Sequence, residues 1–209
     1  MDSSPSPPSG AILAAGSARR MRADKLLLDL AGTPIVRRIA EQALAAELGE
    51  LLVIVRAENS AAVAAALRPL AVRIVANARA EQGMGTSIAL AAASLRPQAE
   101  ALLLLQGDQP LVGRDMLEAL VARWRSGAGA FVASRFGDLV TTPVLFAREL
   151  FAELRALDGD RGAKAVLERH RERGAVIDFP AWRGADVDTP EDYRRVRGLA
   201  GSAGEPRGS

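Results

Sequence analysis

The run Ala101-Leu102-Leu103-Leu104-Leu105, followed at once by Gln106-Gly107-Asp108-Gln109-Pro110, decides how this chain folds. Five consecutive aliphatic residues fall far short of the roughly 18 a membrane span needs, and they offer no polar face, so they read as a strand buried on both sides. Strands of that kind belong to parallel sheets covered by helices on each face. The run ends in a carboxylate, and in open α/β sheets ligands bind beyond the carboxyl ends of the strands. A charge there costs several kcal/mol of desolvation unless a cation or hydrogen bonds compensate it. Asp108 is therefore a candidate magnesium ligand, with a turn or N-cap aspartate between Gly107 and Pro110 as the plainer alternative.

Outward from this run, residues 11–14, 51–55 and 72–75 are also short and apolar, while residues 34–48, 58–68, 85–95 and 113–126 have helical periodicity. That alternation predicts a three-layer α/β/α, Rossmann-like fold with a mostly parallel sheet. Beyond Gly127 the spacing predicts extended pieces at 131–136 and 144–146, helices at 147–157 and 161–172, a strand at 175–179 and a last helix from Thr189. No Pro/Gly/Ser linker interrupts the chain, so residues 10–198 are expected to form one domain, with 1–9 and 199–209 as flexible tails.

Composition narrows the chemistry. With 49% hydrophobic residues in 209, there is enough apolar material for a sizeable core, and a net charge of +2 supplies no field for nucleic acid or membrane. The absence of cysteine excludes a thiolate metal site and a cysteine nucleophile, and the one histidine, His170, excludes a histidine cluster. The N-terminus lacks the basic and apolar regions of a secretory signal, and a cytoplasmic, reducing location is expected. Catalysis is left to carboxylates, Lys, Arg, hydroxyls and backbone amides, and metals to oxygen-ligated ones such as Mg2+.

Three further segments fit that inventory. Leu13-Ala14-Ala15-Gly16 leaves the first strand and leads through Arg20 to Lys25. Small residues let the backbone approach a ligand, and amides with nearby cations can cradle a polyphosphate, although a tight turn with solvated arginines has the same composition. Lys25 is one of two lysines among 27 basic residues, which suggests that a compact point charge was needed there. Glu81-Gln82-Gly83-Met84-Gly85-Thr86-Ser87 opens a helix with two glycines and two hydroxyls, offering amides to an anion or base edge or simply capping the helix. In Asp186-Val187-Asp188-Thr189-Pro190-Glu191-Asp192, a capping pair accounts for Thr189 and Asp192 and leaves Asp188 as a second carboxylate for magnesium. His170 lies in a polar run and is expected to be solvated and without a role.

These segments, together with Gly159-Asp160-Arg161-Gly162-Ala163, occur in the order that resembles the molybdenum cofactor nucleotidyltransferase family, specifically its cytidylyltransferase branch. The resemblance implies a nucleotidyltransferase fold and transfer of CMP from CTP to molybdopterin with Mg2+ as cofactor. It implies that Leu13, Ala14, Ala15, Gly16, Arg20 and Lys25 hold the nucleotide and its triphosphate, helped by Gly83, Gly85 and Ser87. Lys25, Arg20 and Asp108 would then act in catalysis, and Asp108 and Asp188 would ligate the metal. A recipient molybdoenzyme or its chaperone is the implied partner. Rival readings change the acceptor to a sugar phosphate, change the nucleotide to GTP, or make the chain a non-catalytic carrier of the cofactor.

Overall fold

The computed structural model describes residues 6–16, 25–46 and 48–202. Inside the sheet, β1 (Ser9–Ala14) is flanked by β4 (Glu50–Arg56) and β6 (Ala101–Gln106) in parallel pairing. A two-residue hairpin, β2 (Asp29–Leu30) with β3 (Thr33–Pro34), turns through Ala31 and Gly32 ahead of α1 (Ile35–Ala45). The chain then builds outward through β4, α2 (Ser60–Leu67) and β5 (Arg73–Asn77), and returns through α3 (Met84–Ala93) to place β6 on the far side of β1. That reversal opens a crevice at the ends of β1 and β6, which is the usual ligand position in such sheets.

The second half differs from a plain continuation. After α4 (Arg114–Arg125), β7 (Phe131–Phe136) and β8 (Leu139–Ala147) form a hairpin, and β8 inserts antiparallel between β6 and β7. Short helices α5 (Phe151–Arg155) and α6 (Lys164–Arg169) precede β9 (Gly174–Phe179), which pairs parallel to β7 at the edge, and α7 (Pro190–Ser202) closes the described chain. The strand order is β5-β4-β1-β6-β8-β7-β9. The short apolar piece expected at 144–146 is thus one end of a nine-residue strand whose other end is half exposed. The helix expected over 161–172 is reduced to α6, followed by a 3-10 turn at Arg171–Arg173.

Alternation along the central strands explains the three layers. Ile12, Val53, Leu103 and Leu105 point to the face covered by α1, α2, α4 and α7, while Ala11, Leu52, Ile54, Leu102 and Leu104 point to α3, α5 and α6. All of these strand residues are at most 1% exposed, which is why the sequence shows continuous aliphatic runs with no polar phase.

The opposite end of the sheet carries one polar clasp. Glu50, its side chain only 7% exposed, accepts bonds from Ser9 Oγ at 3.1 Å, from the Arg96 amide at 3.1 Å and from Arg73 at 3.2 Å. Burial alone would push this carboxyl up, but the Arg96 amide, Ser9 and Arg73 together hold it below its ordinary value of 4.5. The β1 strand accordingly starts at Ser9, and Gly49 N–H donates to Pro8 O at 3.0 Å, so order begins ahead of Gly10. A depressed carboxyl means that the unfolded chain binds more protons than the native state as pH falls toward 4.5, so this stabilisation is complete above that value and fades below it. Glu50→Gln should destabilise the protein by about 1–3 kcal/mol at pH 7 in urea unfolding, with the difference from wild type shrinking as pH drops below about 4.5.

Candidate active site

Three chain segments converge on one ammonium group. Lys25 opens a 3-10 turn, Lys25–Leu27, and its side chain is 9% exposed. Its Nζ donates to Asp108 Oδ2 at 2.6 Å and to Asp188 Oδ1 at 2.7 Å. Backbone bonds set this convergence: Gly107 N–H donates to Leu13 O at 2.9 Å, and Val187 N–H donates to Asp108 O at 3.0 Å. The end of β6 is thereby tied to the end of β1 on one side and to the segment before α7 on the other. A Cβ on Gly107 would come within 3.1 Å of Leu13 O and of Leu26 Cδ2, so a larger residue would crowd the seam. Ahead of α7, Thr189 Oγ1 accepts from the Asp192 amide at 3.1 Å and Asp192 Oδ2 accepts from the Thr189 amide at 3.0 Å, the reciprocal capping that the sequence predicts.

Burial draws the Lys25 ammonium toward neutrality, but the charges and hydrogen bonds of Asp108 and Asp188 outweigh it and raise its pKa. A third carboxylate, Asp186, stands behind them. Its pKa is pushed up to about 6, by burial first and then by the charge of Asp108, despite a hydrogen bond from Gln109. Two oxygens here, Asp108 Oδ1 and Asp186 Oδ1, are buried without a hydrogen-bond partner. Asp108 and Asp188 offer hard oxygen donors, and the orphaned Asp108 Oδ1 is a position that a hard divalent cation could take. Among the described residues no group of three carboxylates or imidazoles is placed to hold a metal ion, so an ion bound here would need ligands from outside the chain.

Beside this junction lies a cavity of about 370 Å³ at the carboxyl ends of β1, β4 and β6. Leu13, Ala14, Ala15 and Gly16 form one wall, Lys25 and Asp108 the floor, and Gly83, Met84 and Ser87 the opposite wall. Gly83 adopts φ +116, a conformation restricted to glycine, and a Cβ there would overlap the carbonyl of Gly159. The free amide expected at Gly85 is instead consumed: Gly85 N–H donates to Gly159 O at 2.8 Å, and Gly85 stands behind the cavity wall. Small size is required at Gly85 for packing, since a Cβ would lie 2.8 Å from both Asp158 O and Arg161 O. Asn77 Nδ2 donates to Thr86 Oγ1 at 3.0 Å and to Ser87 Oγ at 2.9 Å, fixing this helix start against β5. Arg20 lies outside the described residues.

Among the cavity residues to which the sequence reading gave no role are Arg56 and Asp160. Arg56, at the end of β4, donates from Nε to Ala15 O at 3.1 Å and brings a guanidinium to the mouth of the first loop. Asp160, from the turn docked on Gly83, adds a carboxylate to the rim. Position at the end of a buried strand, the signal used for Asp108, would have found Arg56. His170 is not solvated as expected: its side chain is 14% exposed, with Nε2 2.6 Å from Glu153 Oε1, and it lines no part of the cavity.

The arrangement matches known proteins along nearly its whole length. A MobA-like NTP transferase domain matches residues 10–174. The purine catabolism protein PucB of Bacillus subtilis (strain 168) is 32% identical over 197 residues, covering 90% of this chain and 95% of that protein. A probable molybdenum cofactor guanylyltransferase of Natronomonas pharaonis is 30% identical over 196 residues, covering 90% and 96%. Among solved structures, Rv0371c of Mycobacterium tuberculosis H37Rv superimposes with a TM-score of 0.80 at 27% identity over 93% of this chain and 99% of that one. The same protein has been solved in complex with manganese.

The Gly83 wall gives a direct test of how the site is assembled. Gly83→Ala should cost at least about 2 kcal/mol, combining a glycine-only backbone with overlap on Gly159, and should loosen the 158–162 turn. Urea unfolding and amide hydrogen exchange of residues 158–162 would register both effects.

Proposed function

The chain belongs to the MobA-like NTP transferase family, a family of nucleotidyltransferases, and on that premise we propose that it transfers CMP from CTP to the molybdopterin form of the molybdenum cofactor, releasing pyrophosphate. The observation that carries the choice of nucleotide is Ala15. It is 5% exposed, lines the cavity, and has its carbonyl held by Arg56, so its methyl group cannot swing away. The guanylyl branch usually carries Leu-Ala-Gly-Gly where this chain has Leu13-Ala14-Ala15-Gly16. A methyl added to a close-packed wall penalises a larger base by overlap, typically about 1–3 kcal/mol.

Nucleotidyl transfer of this kind forms a bond from an acceptor phosphate oxygen to the α-phosphorus and breaks the bond to the β-phosphate, with the electron pair leaving on pyrophosphate. A phosphate monoester with a second pKa of about 6 is already largely dianionic at neutral pH, so no general base is needed. This accords with a cavity whose lining has no histidine. Asp108 and Asp188 would hold a divalent ion such as Mg2+, which neutralises charge on the triphosphate and the departing pyrophosphate. The manganese complex of Rv0371c supports a divalent ion in the family. The chain's own contribution is to orient: Ala14, Ala15 and Gly16 let the backbone approach the nucleotide, Gly83 and Ser87 close the opposite wall, and Lys25 and Arg56 place positive charge along the phosphates. Arg20, by resemblance, is a further cation for the triphosphate.

The acceptor would enter by a second cavity of about 170 Å³ that shares Leu13, Met84 and Gln106 with the first and continues along Val140, Thr142 and Leu167. Its lining offers apolar side chains for the face of a pterin ring, with Gln106, Thr141, Thr142 and Lys164 among them for the ring's polar edge. The probable molybdenum cofactor guanylyltransferase among the relatives supports the same acceptor.

With equimolar CTP and GTP competing for molybdopterin, the cytidylyl product should exceed the guanylyl product by about ten- to a hundred-fold. An excess of guanylyl product would overturn the choice of nucleotide. Asp108→Asn should lower magnesium-dependent pyrophosphate release by about 10²–10³ while the far-ultraviolet circular dichroism stays unchanged. Near-normal turnover in that variant would reduce Asp108 to a turn residue.

A further inference from the structure

Three cavities run into one another. The first shares Leu13, Met84 and Gln106 with the acceptor cavity of about 170 Å³, which in turn shares Leu139, Val140, Lys164 and Leu167 with a groove of about 330 Å³ that reaches the edge strand β9. We propose that this groove is the outer half of the acceptor site and takes the aminopyrimidinone end of the pterin ring, the end farthest from the phosphate that joins the nucleotide. The proposal rests on the molybdopterin reading of the acceptor.

The strands explain why the groove is open. Ala175, Ile177 and Phe179 of β9 pack against the core formed with α1, α4 and α7, so alternation turns Val176 to the opposite face of the sheet. On that face Phe131, Ala133 and Leu167 are buried together, but α6 ends at Arg169 and Val176 stays 42% exposed. Leu139, where β8 begins, is 59% exposed. Among the described residues four large apolar side chains are exposed, and three of them, Met84, Leu139 and Val176, line these joined cavities. One exposed apolar residue needs no explanation, whereas a row of them along one trough marks a binding surface.

Size and charge choose the occupant. At about 170 Å³ the acceptor cavity falls below the roughly 300–1,000 Å³ that holds a drug-sized ligand, and only with the groove does it enter that range. The rim of the groove carries both signs, Asp138 and Glu168 with Lys164 and Arg171. A carboxylate accepts from the amino and N–H donors of an aminopyrimidinone, a guanidinium donates to its oxo oxygen, and Leu139 and Val176 offer apolar contact to its face. A hydrocarbon chain would make no use of that rim.

Neopterin, a fluorescent pterin with neither phosphate nor metal, is the probe. Its fluorescence polarisation should rise saturably with the wild-type protein. Leu139→Gln combined with Val176→Thr, which keeps the branched shape, should weaken binding about tenfold. Trp182→Gln should leave it unchanged, since Trp182 is exposed but lines none of the three cavities. No saturable binding, or equal binding in the double variant, overturns the proposal. If the double variant loses only self-association in sedimentation, a second copy of the chain occupies the groove and the proposal falls. Should that variant not fold, the 13C-methyl signals of Leu139 and Val176 in the wild-type protein, assigned with Leu139→Met and Val176→Ile, should shift with neopterin; unmoved signals overturn the proposal. Neopterin binding with no nucleotide transferred to molybdopterin keeps the subsite and removes the assigned reaction. Transfer to molybdopterin with an unchanged acceptor KM in the double variant keeps the reaction and removes the subsite.

Discussion

The ion pairs of Lys25 with Asp108 and Asp188 hold together what the chain keeps far apart in sequence. The lysine follows the first strand, one aspartate ends the fourth strand of the parallel block, and the other precedes the last helix. Exchanging a buried ion pair for well-packed apolar groups is often neutral or stabilising, so such a pair is weak grounds for stability. What it supplies here is placement of charge at the mouth of a crevice created where the strand order reverses. The bonds from Gly107 N–H to Leu13 O and from Val187 N–H to Asp108 O set that placement in the backbone, before any side chain is considered.

The opposite wall is built by a different device. Gly83 and Gly85 let the turn at 158–160 settle against the start of α3, and Asn77 pins Thr86 and Ser87 from the end of β5. One wall thus comes from the parallel half of the sheet and its docked partner from the half that contains the antiparallel strand β8. The cavity depends on both halves packing as one body, with each glycine chosen for the neighbour it admits and not for flexibility.

Much of this was legible in the residues. The aliphatic runs at 51–55 and 101–105 have no polar phase because helices cover both faces, and that property announced a covered sheet. Asp108 could be singled out because a charge ending a buried strand needs a partner. The antiparallel insertion of β8 was not legible, because Thr141, Thr142 and Pro143 separate Leu139 and Val140 from the apolar stretch at 144–146 that lies between β6 and β7. The ion pairing of Lys25 was equally hidden: the sequence pointed it at a triphosphate, whereas the structure gives it two carboxylates. Asp186 was passed over because nothing local distinguishes it from Asp188; only the fold half-buries one, with its Oδ1 out of solvent, and leaves the other exposed. The amide of Gly85 was misjudged for a related reason, since its acceptor, Gly159 O, lies more than 70 positions away.

The junction of Lys25, Asp108 and Asp188 is the proposed reaction centre. A crystal structure with Mg2+ and a non-hydrolysable CTP analogue tests this most directly. The account predicts the metal on Asp108 and Asp188, and the triphosphate along the Ala14–Gly16 wall with Lys25 Nζ beside it. A complex in which metal and nucleotide sit away from this junction would contradict it.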